Sequence, residues 1–237
     1  MTDFSRFALV PTLLLATATG YAQNQAGFSG RVTLGYLATS GNTENETLNS
    51  NFELGWNRAP WHHALTGSAV RASTDNVTTA EAYSLDWQSG YDFTETSYAF
   101  GRAAWDEDKF SGYARQVRVV GGYGRRIIDI ERHALNGEVG VGLRESDLRD
   151  DTSEDETILR LSGNYLWTIS ETSKFSQSLS IESGSSNTFT EAVTKLTANI
   201  RGDLSVVLSY RIRKNSDVPV GTVKTDTFTA VALEYAF

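Results

Sequence analysis

The chain ends with TAVALEYAF, residues 229–237, in which bulky apolar residues alternate with smaller or polar ones up to a terminal aromatic residue. Val231, Leu233, Tyr235 and Phe237 occupy every second position, so their side chains would share one face of an extended strand. The intervening positions carry alanines and a single glutamate. This alternation predicts a β-strand with one apolar face.

The same period of two extends through most of the chain from Gly27 onwards. Leu48, Phe52, Leu54 and Trp56, for example, are separated by asparagine, serine, glutamate and glycine residues. No stretch beyond the N-terminus gives a convincing amphipathic helix. The pattern predicts twelve strands, near residues 27–38, 47–57, 61–73, 81–93, 97–105, 115–127, 133–145, 157–168, 173–183, 189–201, 204–214 and 225–237.

The connections between these strands alternate in kind. Those after even-numbered strands are short, such as residues 58–60 and 202–203, whereas those after odd-numbered strands are mostly longer and rich in polar residues and glycine. An even number of strands with this alternation is typical of transmembrane β-barrels. The sequence therefore predicts an all-β protein, an antiparallel transmembrane β-barrel of about 12 strands.

A water-soluble β-sandwich or lipocalin-like barrel is the alternative. Its core would have to bury the polar face of each strand, including Glu53, Asp86, Glu138, Arg160 and Arg211, at a large cost in desolvation. Aromatic residues also gather near the short connections, as in the interfacial girdle of a membrane barrel. This set comprises Trp56, Trp61, Tyr91, Phe93, Tyr98, Tyr165, Trp167, Phe175, Tyr210 and Tyr235.

The N-terminus has the organisation of a secretory signal peptide. Arg6 precedes an apolar run at residues 7–18, and Gly20 and Ala22 stand at the −3 and −1 positions of a cleavage site. A short N-terminal anchor helix is the alternative, but the run is too short to span a bilayer. We therefore expect a signal peptide at residues 1–22, a barrel at 23–237, and export to the cell outer membrane.

Composition excludes several classes of protein. The 237 residues include no cysteine, so the chain has no disulfide framework and no thiolate metal site. The formal net charge of −8 argues against binding to nucleic acid, which requires a basic surface. No apolar run reaches the roughly 18 residues that an ordinary transmembrane helix needs.

Two stretches resemble known bacterial sequences. The C-terminal residues Val231, Leu233, Tyr235 and Phe237 resemble the assembly signal that the barrel-insertion machinery reads in outer-membrane proteins. The stretch GYLATSGNTE at 35–44, running into Thr47-Leu48-Asn49, resembles the start of the domain of unknown function 481 family, often labelled salt-induced outer membrane protein. The resemblance covers nearly the whole mature chain. It implies an outer-membrane barrel but carries no agreed activity, catalytic residue or cofactor.

Charged residues on the inward face of the strands are the first candidate site. They are Glu53, Asp86, Arg118, Glu138, Arg144, Arg160, Lys195, Arg211 and Arg213. Strands two and four would lie roughly across the ring from strands eight to eleven, so we expect acids to face bases across the lumen. These charges would either set the selectivity of a pore or form a salt-bridged plug. Arg102 and Arg125 are expected on the lipid face.

An acidic outer loop at 146–156 is the second candidate site. Its carboxylates are Asp147, Asp150, Asp151, Glu154, Asp155 and Glu156. The loop is either a solvated run of charges or a weak site for divalent cations at the lipopolysaccharide surface, because carboxylate oxygens suit such ions. The spacing is not that of a dedicated calcium loop.

The histidines give no support for an enzyme. His62, His63 and His133 all lie near short connections, and no serine is expected beside them to serve as a nucleophile. We expect no cofactor, and as partners only membrane lipid, lipopolysaccharide and the barrel-assembly machinery. Two hypotheses follow: a small porin-like channel for ions or polar solutes, and a non-conducting envelope barrel whose acidic loops bind cations, lipopolysaccharide or a surface partner.

Overall fold

The computed structural model describes residues 27–39, 45–110, 113–149, 152–218 and 224–237. The predicted signal peptide lies outside these residues, as do the turn at 40–43 and the acidic residues Asp150 and Asp151. Within the described ranges no helix has the length and apolar character needed to cross a membrane.

The described residues form a closed barrel of twelve antiparallel strands in sequence order, which confirms the predicted fold. Closure is essential for a sheet in lipid, because every backbone N–H and C=O then has a partner. The strands are β1 (Gly27–Thr39), β2 (Asn45–Arg58), β3 (Trp61–Thr74), β4 (Val77–Asp92), β5 (Ser97–Asp108), β6 (Tyr113–Ile130), β7 (His133–Leu148), β8 (Ser153–Thr168), β9 (Ser173–Ser183), β10 (Thr188–Arg201), β11 (Leu204–Asn215) and β12 (Thr225–Ala236).

Several strands are longer than the sequence pattern predicts and include residues that it assigns to the long loops. β3 and β4 are joined by Asp75 and Asn76 alone, with φ values of 49° and 64°. Consecutive positive φ angles are those of a tight type I′ hairpin, and Asp and Asn adopt them more readily than most residues. β8 begins at Ser153, so the acidic residues 154–156 belong to a strand and not to a loop.

The barrel closes where the two ends of the described chain meet. Residues 31–34 of β1 pair with residues 233–236 of β12. Beyond them, the backbone N–H of Gly30 donates to the carbonyl of Phe237 at 2.6 Å, and the N–H of Phe237 donates back at 2.8 Å. A Cβ on Gly30 would lie 2.3 Å from the Phe237 ring, so the absence of a side chain at Gly30 makes room for the terminal aromatic residue.

The outer face is apolar and carries aromatic clusters at the end with the short connections. The ring of His63 stacks on Trp56 and Trp61, with centroids 4.9 and 6.0 Å apart, and His133 Nδ1 lies 2.8 Å from the Tyr165 hydroxyl. Such rings suit a membrane interface. Tyr98 is an exception to the predicted girdle, because it is buried on the inner face.

Candidate functional site

One part of the lumen is packed with aromatic and aliphatic side chains. Tyr98 and Phe100 of β5 form a buried cluster with Val120 and Ile158. They lie against glycines of β6 and β7: a Cβ on Gly124 would be 2.2 Å from the Tyr98 ring, and one on Gly140 would be 3.1 Å from Phe100. The glycines at 122, 124 and 140 therefore let these rings lie close to the barrel wall.

Arg102 lies inside the barrel, and its predicted lipid-facing position is wrong. It pairs with Asp86 on the neighbouring strand, and its Nη1 donates to Glu182 Oε1 at 2.9 Å. Arg102 shares its face with Phe100 and with Tyr98, a residue of the predicted lipid-facing aromatic girdle. Both rings are buried core residues. The face of β5 that was predicted to contact lipid is therefore the face that points into the barrel.

Glu182 of β9 is the carboxylate at the centre of the packed region. It accepts hydrogen bonds from Arg102 and, at 3.1 Å, from Nη1 of Arg118, and it lies 3.7 Å from Nε of Arg160. Arg118 also pairs with Asp106. Only 1% of the Glu182 side chain is exposed, so its charge is balanced by these arginines and not by water.

Glu138 of β7 is the second buried carboxylate. Its Oε2 accepts from Nη1 of Arg160 at 2.8 Å and from the Ser162 hydroxyl at 3.0 Å. Its Oε1 accepts from the Gln88 amide at 2.7 Å and the Tyr98 hydroxyl at 3.0 Å. Both carboxylate oxygens are thus hydrogen-bonded twice, which is the arrangement that makes a buried charge tolerable.

A third buried pair joins Arg144 and Glu156 across β7 and β8. Arg144 Nε donates to Glu156 Oε1 at 2.9 Å, and Arg144 also donates to the carbonyl of Asn187 at 2.6 Å. The backbone N–H of Ser186 donates to the other oxygen of Glu156 at 3.0 Å. Glu156 is therefore a structural partner of Arg144, and its predicted place in an acidic outer loop is wrong.

We call the interior face of β5–β8, together with Glu182, the filled side of the lumen. The opposite interior face, on β10–β12 and β1–β3, is the open side. It contains Glu53, whose oxygens lie 3.0 Å from Arg31 Nη1 and 3.3 Å from Lys195 Nζ. β2 and β10 are not neighbours in the ring, so the pair formed by Glu53 and Lys195 spans part of the lumen.

Arg211 and Arg213 share Glu191 on the neighbouring strand. Arg213 Nε donates to Glu191 Oε2 at 2.8 Å, whereas Arg211 Nε is 3.9 Å from the same oxygen. Arg213 also lies 3.8 Å from Asp106, on the opposite side of the ring. Arg211 is therefore held less tightly than Arg213.

The open side contains inward-facing charges that remain partly exposed, although other inward residues of its strands, such as Val207 and Glu234, are buried. The side chains of Glu53, Lys195 and Arg211 are 37%, 34% and 31% exposed although they point inwards, whereas that of Arg118 is 7% exposed. Small polar or apolar residues occupy much of the remaining open side. Examples are Thr33, Asn51, Thr66, Ser68, Ser209 and Ala230.

The expected opposition of acids and bases across the lumen is found for one of the two acids on β2 and β4. Glu53 meets Lys195 from β10, but Asp86 pairs with Arg102 on the adjacent strand. Charges on the filled side mix both signs over neighbouring strands, because each buried charge needs a partner within reach. Sequence reasoning missed Glu182, although its position on the same face as Ser176, Ser178 and Ser180 marks it as inward-facing.

The predicted acidic cluster at 146–156 is dispersed in the structure. Asp147 pairs with Arg115, whose Nε donates to Oδ2 at 2.8 Å, and Glu156 faces inwards while Asp155 lies on the outer face of β8. Glu154 shares the inward face with Glu156 near the rim. Across the described part of the chain, no group of three or more His, Asp or Glu residues is arranged to hold a metal ion.

The histidines do not form a catalytic arrangement in the described residues. His63 and His133 pack on aromatic rings of the outer face, and His62 points inwards, with Nδ1 3.6 Å from Oδ1 of Asp92. Within the described ranges, no hydrogen bond joins a serine hydroxyl to a histidine ring. A serine nucleophile with a histidine base is therefore not assembled there.

Comparison with known proteins agrees with this architecture. A family model described as Protein of unknown function, DUF481, matches residues 32–237. The Uncharacterized protein YdiY of Escherichia coli (strain K12) is 29% identical over 210 residues, covering 88% of this chain and 83% of that protein.

Solved structures of outer-membrane proteins match this chain at low sequence identity. The COG4313 outer membrane channel from Pseudomonas putida F1 has a TM-score of 0.54 at 10% identity, covering 91% of this chain and 97% of that one. A NanC porin structure has a TM-score of 0.49 at 8% identity, covering 89% and 98%. At such identities the likeness is one of fold. The chain belongs to the DUF481 family, and its fold is that of an outer-membrane β-barrel.

Proposed function

We propose that this protein is a narrow channel of the bacterial outer membrane for ions or small polar solutes. The observation that carries the proposal is the uneven filling of the lumen. Buried pairs occupy the filled side, while the inward-pointing Glu53, Lys195 and Arg211 on the open side keep about a third of their side-chain surface accessible. Charged side chains on a water-accessible wall can set the selectivity of such a channel.

We also propose that the protein resides in the outer membrane and acts without catalysis. An outward apolar face with aromatic rings near one end suits a bilayer, and the outer membrane is where closed barrels of this type reside. The interior charges are engaged with each other, as structural or selectivity groups are. We assign no enzymatic role to them.

Single-channel recording tests the proposal. Refolded protein would be inserted into a planar bilayer in KCl, after a heat-dependent gel shift has shown that the barrel is folded. Discrete, stable conductance steps are expected. Protein that is folded and inserted but produces no steps would overturn the channel function.

A second candidate is a non-conducting envelope barrel that binds cations, lipopolysaccharide or a surface partner through its outer loops. It is favoured by contacts that span the lumen, because Lys195 meets Glu53 and Arg213 meets Asp106 from strands that are not neighbours. Binding of Ca²⁺ or lipopolysaccharide to folded, silent protein would support it. The described acidic residues offer no preformed cation site, so such binding would have to use other loop residues.

A role in the response to salt is compatible with both candidates. The pair formed by Glu53 and Lys195 is partly exposed, and screening at high ionic strength weakens exposed pairs more than buried ones. We propose that raised salt loosens this contact while the filled side stays intact. The dependence of normalised conductance on KCl concentration tests this point.

A further inference from the structure

A cavity of about 390 Å³ opens at the end of the barrel that carries the short connections. Residues from β2 to β8 line it, and it reaches inwards as far as Glu138. Its volume is in the range of sites that bind small organic molecules. Neither the proposed conduction path nor the ion pairs of the filled side account for the amide side chains found there.

The charged groups of this cavity are already paired with one another. Arg126 Nη2 donates to Asp92 Oδ1 at 2.7 Å, and Arg126 Nη1 donates to the carbonyl of Glu95 at 2.9 Å. Glu138 is bound by Arg160 at 2.8 Å and by three neutral donors. The paired charges cancel, so a charged solute would find no unpaired opposite charge on this wall.

Three amide side chains of the cavity, by contrast, are unengaged. Asn136 and Asn164 are direct cross-strand partners on the inner face of β7 and β8. Asn57 lies beside His62 on β2 and β3. Among the described residues, none of these amides has a side-chain hydrogen bond, and His62 Nδ1 is buried without one.

We propose that this cavity binds a neutral, hydroxyl-rich solute such as a sugar. Each amide both donates and accepts, and so matches a hydroxyl group, which also does both. The buried Tyr98 ring, covered by Arg126 at 5.3 Å, also lines this cavity. The site takes up a solute from the short-connection end and holds it between β2–β3 and β7–β8. Binding there does not require conduction.

Saturation-transfer difference NMR with maltose as the probe tests the proposal on full-length folded protein. The detergent must carry no sugar headgroup, such as an amine oxide, because a maltoside would compete. We expect saturable transfer from the protein to maltose, and weaker transfer to sodium glucuronate at the same concentration. The double variant Asn136→Ala/Asn164→Ala should weaken maltose binding by about fivefold or more, since two lost hydrogen bonds are together worth about 1–3 kcal/mol.

The matched control is Ser205→Ala/Ser209→Ala, which alters two inward-facing residues of β11 outside the cavity. It should bind maltose like the parent protein. If the double asparagine variant does not fold, the single variant Asn57→Ala replaces it. Absence of saturable transfer, an equal loss in the control, or tighter binding of glucuronate would each overturn the proposal. A silent bilayer recording would contradict the channel alone and leave this binding experiment unaffected.

Discussion

Glu182 Oε1 lies 2.9 Å from Nη1 of Arg102, although three strands separate β9 from β5 in the ring. The contact therefore crosses the lumen and does not follow the wall. It holds one carboxylate among arginines from strands that are distant in sequence. This arrangement divides the interior into a filled side, which stabilises the barrel, and an open side that water can reach.

Replacing Glu182 with glutamine should strongly destabilise the barrel. Arg102 and Arg118 would then remain buried with less negative charge nearby, and breaking a buried pair in this way costs about 3–5 kcal/mol. The temperature of the heat-dependent gel shift should fall. The control Glu191→Gln, at a carboxylate that is 26% exposed, should lower it less. An equal effect of both variants would contradict a division into filled and open sides.

Gly122→Ala should also destabilise the barrel, because an added methyl group would lie 2.2 Å from the carbonyl oxygen of Val139. Overpacking of this kind costs about 1–3 kcal/mol. Gly101→Ala is the matched control, since nothing lies within 4 Å of its Cβ position. Urea titration of the folded fraction in detergent measures both. If Gly122→Ala were as stable as Gly101→Ala, the close packing against β7 would be wrong.

Phe237→Ala should lower the yield of folded barrel in the outer membrane. The Phe237 ring covers Gly30 and lies 6.3 Å from the ring of Phe28, at the seam that closes the sheet. The exposed Tyr36 on the same outer face gives the control Tyr36→Ala. Quantifying the heat-modifiable form in isolated membranes compares them. Equal yields would show that the terminal ring is dispensable for closure.

The fold follows almost entirely from the period of two. Alternation requires strands, and the short connections require antiparallel neighbours, so the order of the twelve strands is determined by hydropathy and turns. Strand ends were less predictable. At Asp75 and Asn76 a tight hairpin replaces an expected loop, because a polar sequence that extends above a membrane can still pair as a strand.

The lumen was less predictable than the fold because alternation identifies two faces but not which one points inwards. In β5, Tyr98 suggested a lipid face that also contained Arg102, and the glycines of β6 and β7 that accept the rings of Tyr98 and Phe100 are distant in sequence. The role of Glu182 could be predicted only from knowing which arginines surround it. Such contacts depend on the stagger of the closed barrel, which no local pattern records.

Lys195→Ala should increase conductance. It removes the side chain that reaches Glu53 from a non-neighbouring strand, so the open side becomes wider. Lys214→Ala removes the same charge type from the outward face of β11 and should leave conductance unchanged. Single-channel amplitudes at one KCl concentration give the comparison. An unchanged amplitude in Lys195→Ala would remove this residue from the conduction path.

The reversal potential in a KCl gradient tests the central claim most directly. Arg211 is accessible on the open side and only loosely paired with Glu191, so Arg211→Glu should shift selectivity towards cations. Lys214→Glu, which makes the same reversal on the outer face, should retain the reversal potential of the parent protein. Identical reversal potentials in all three folded, conducting proteins would contradict a conduction path along the open side.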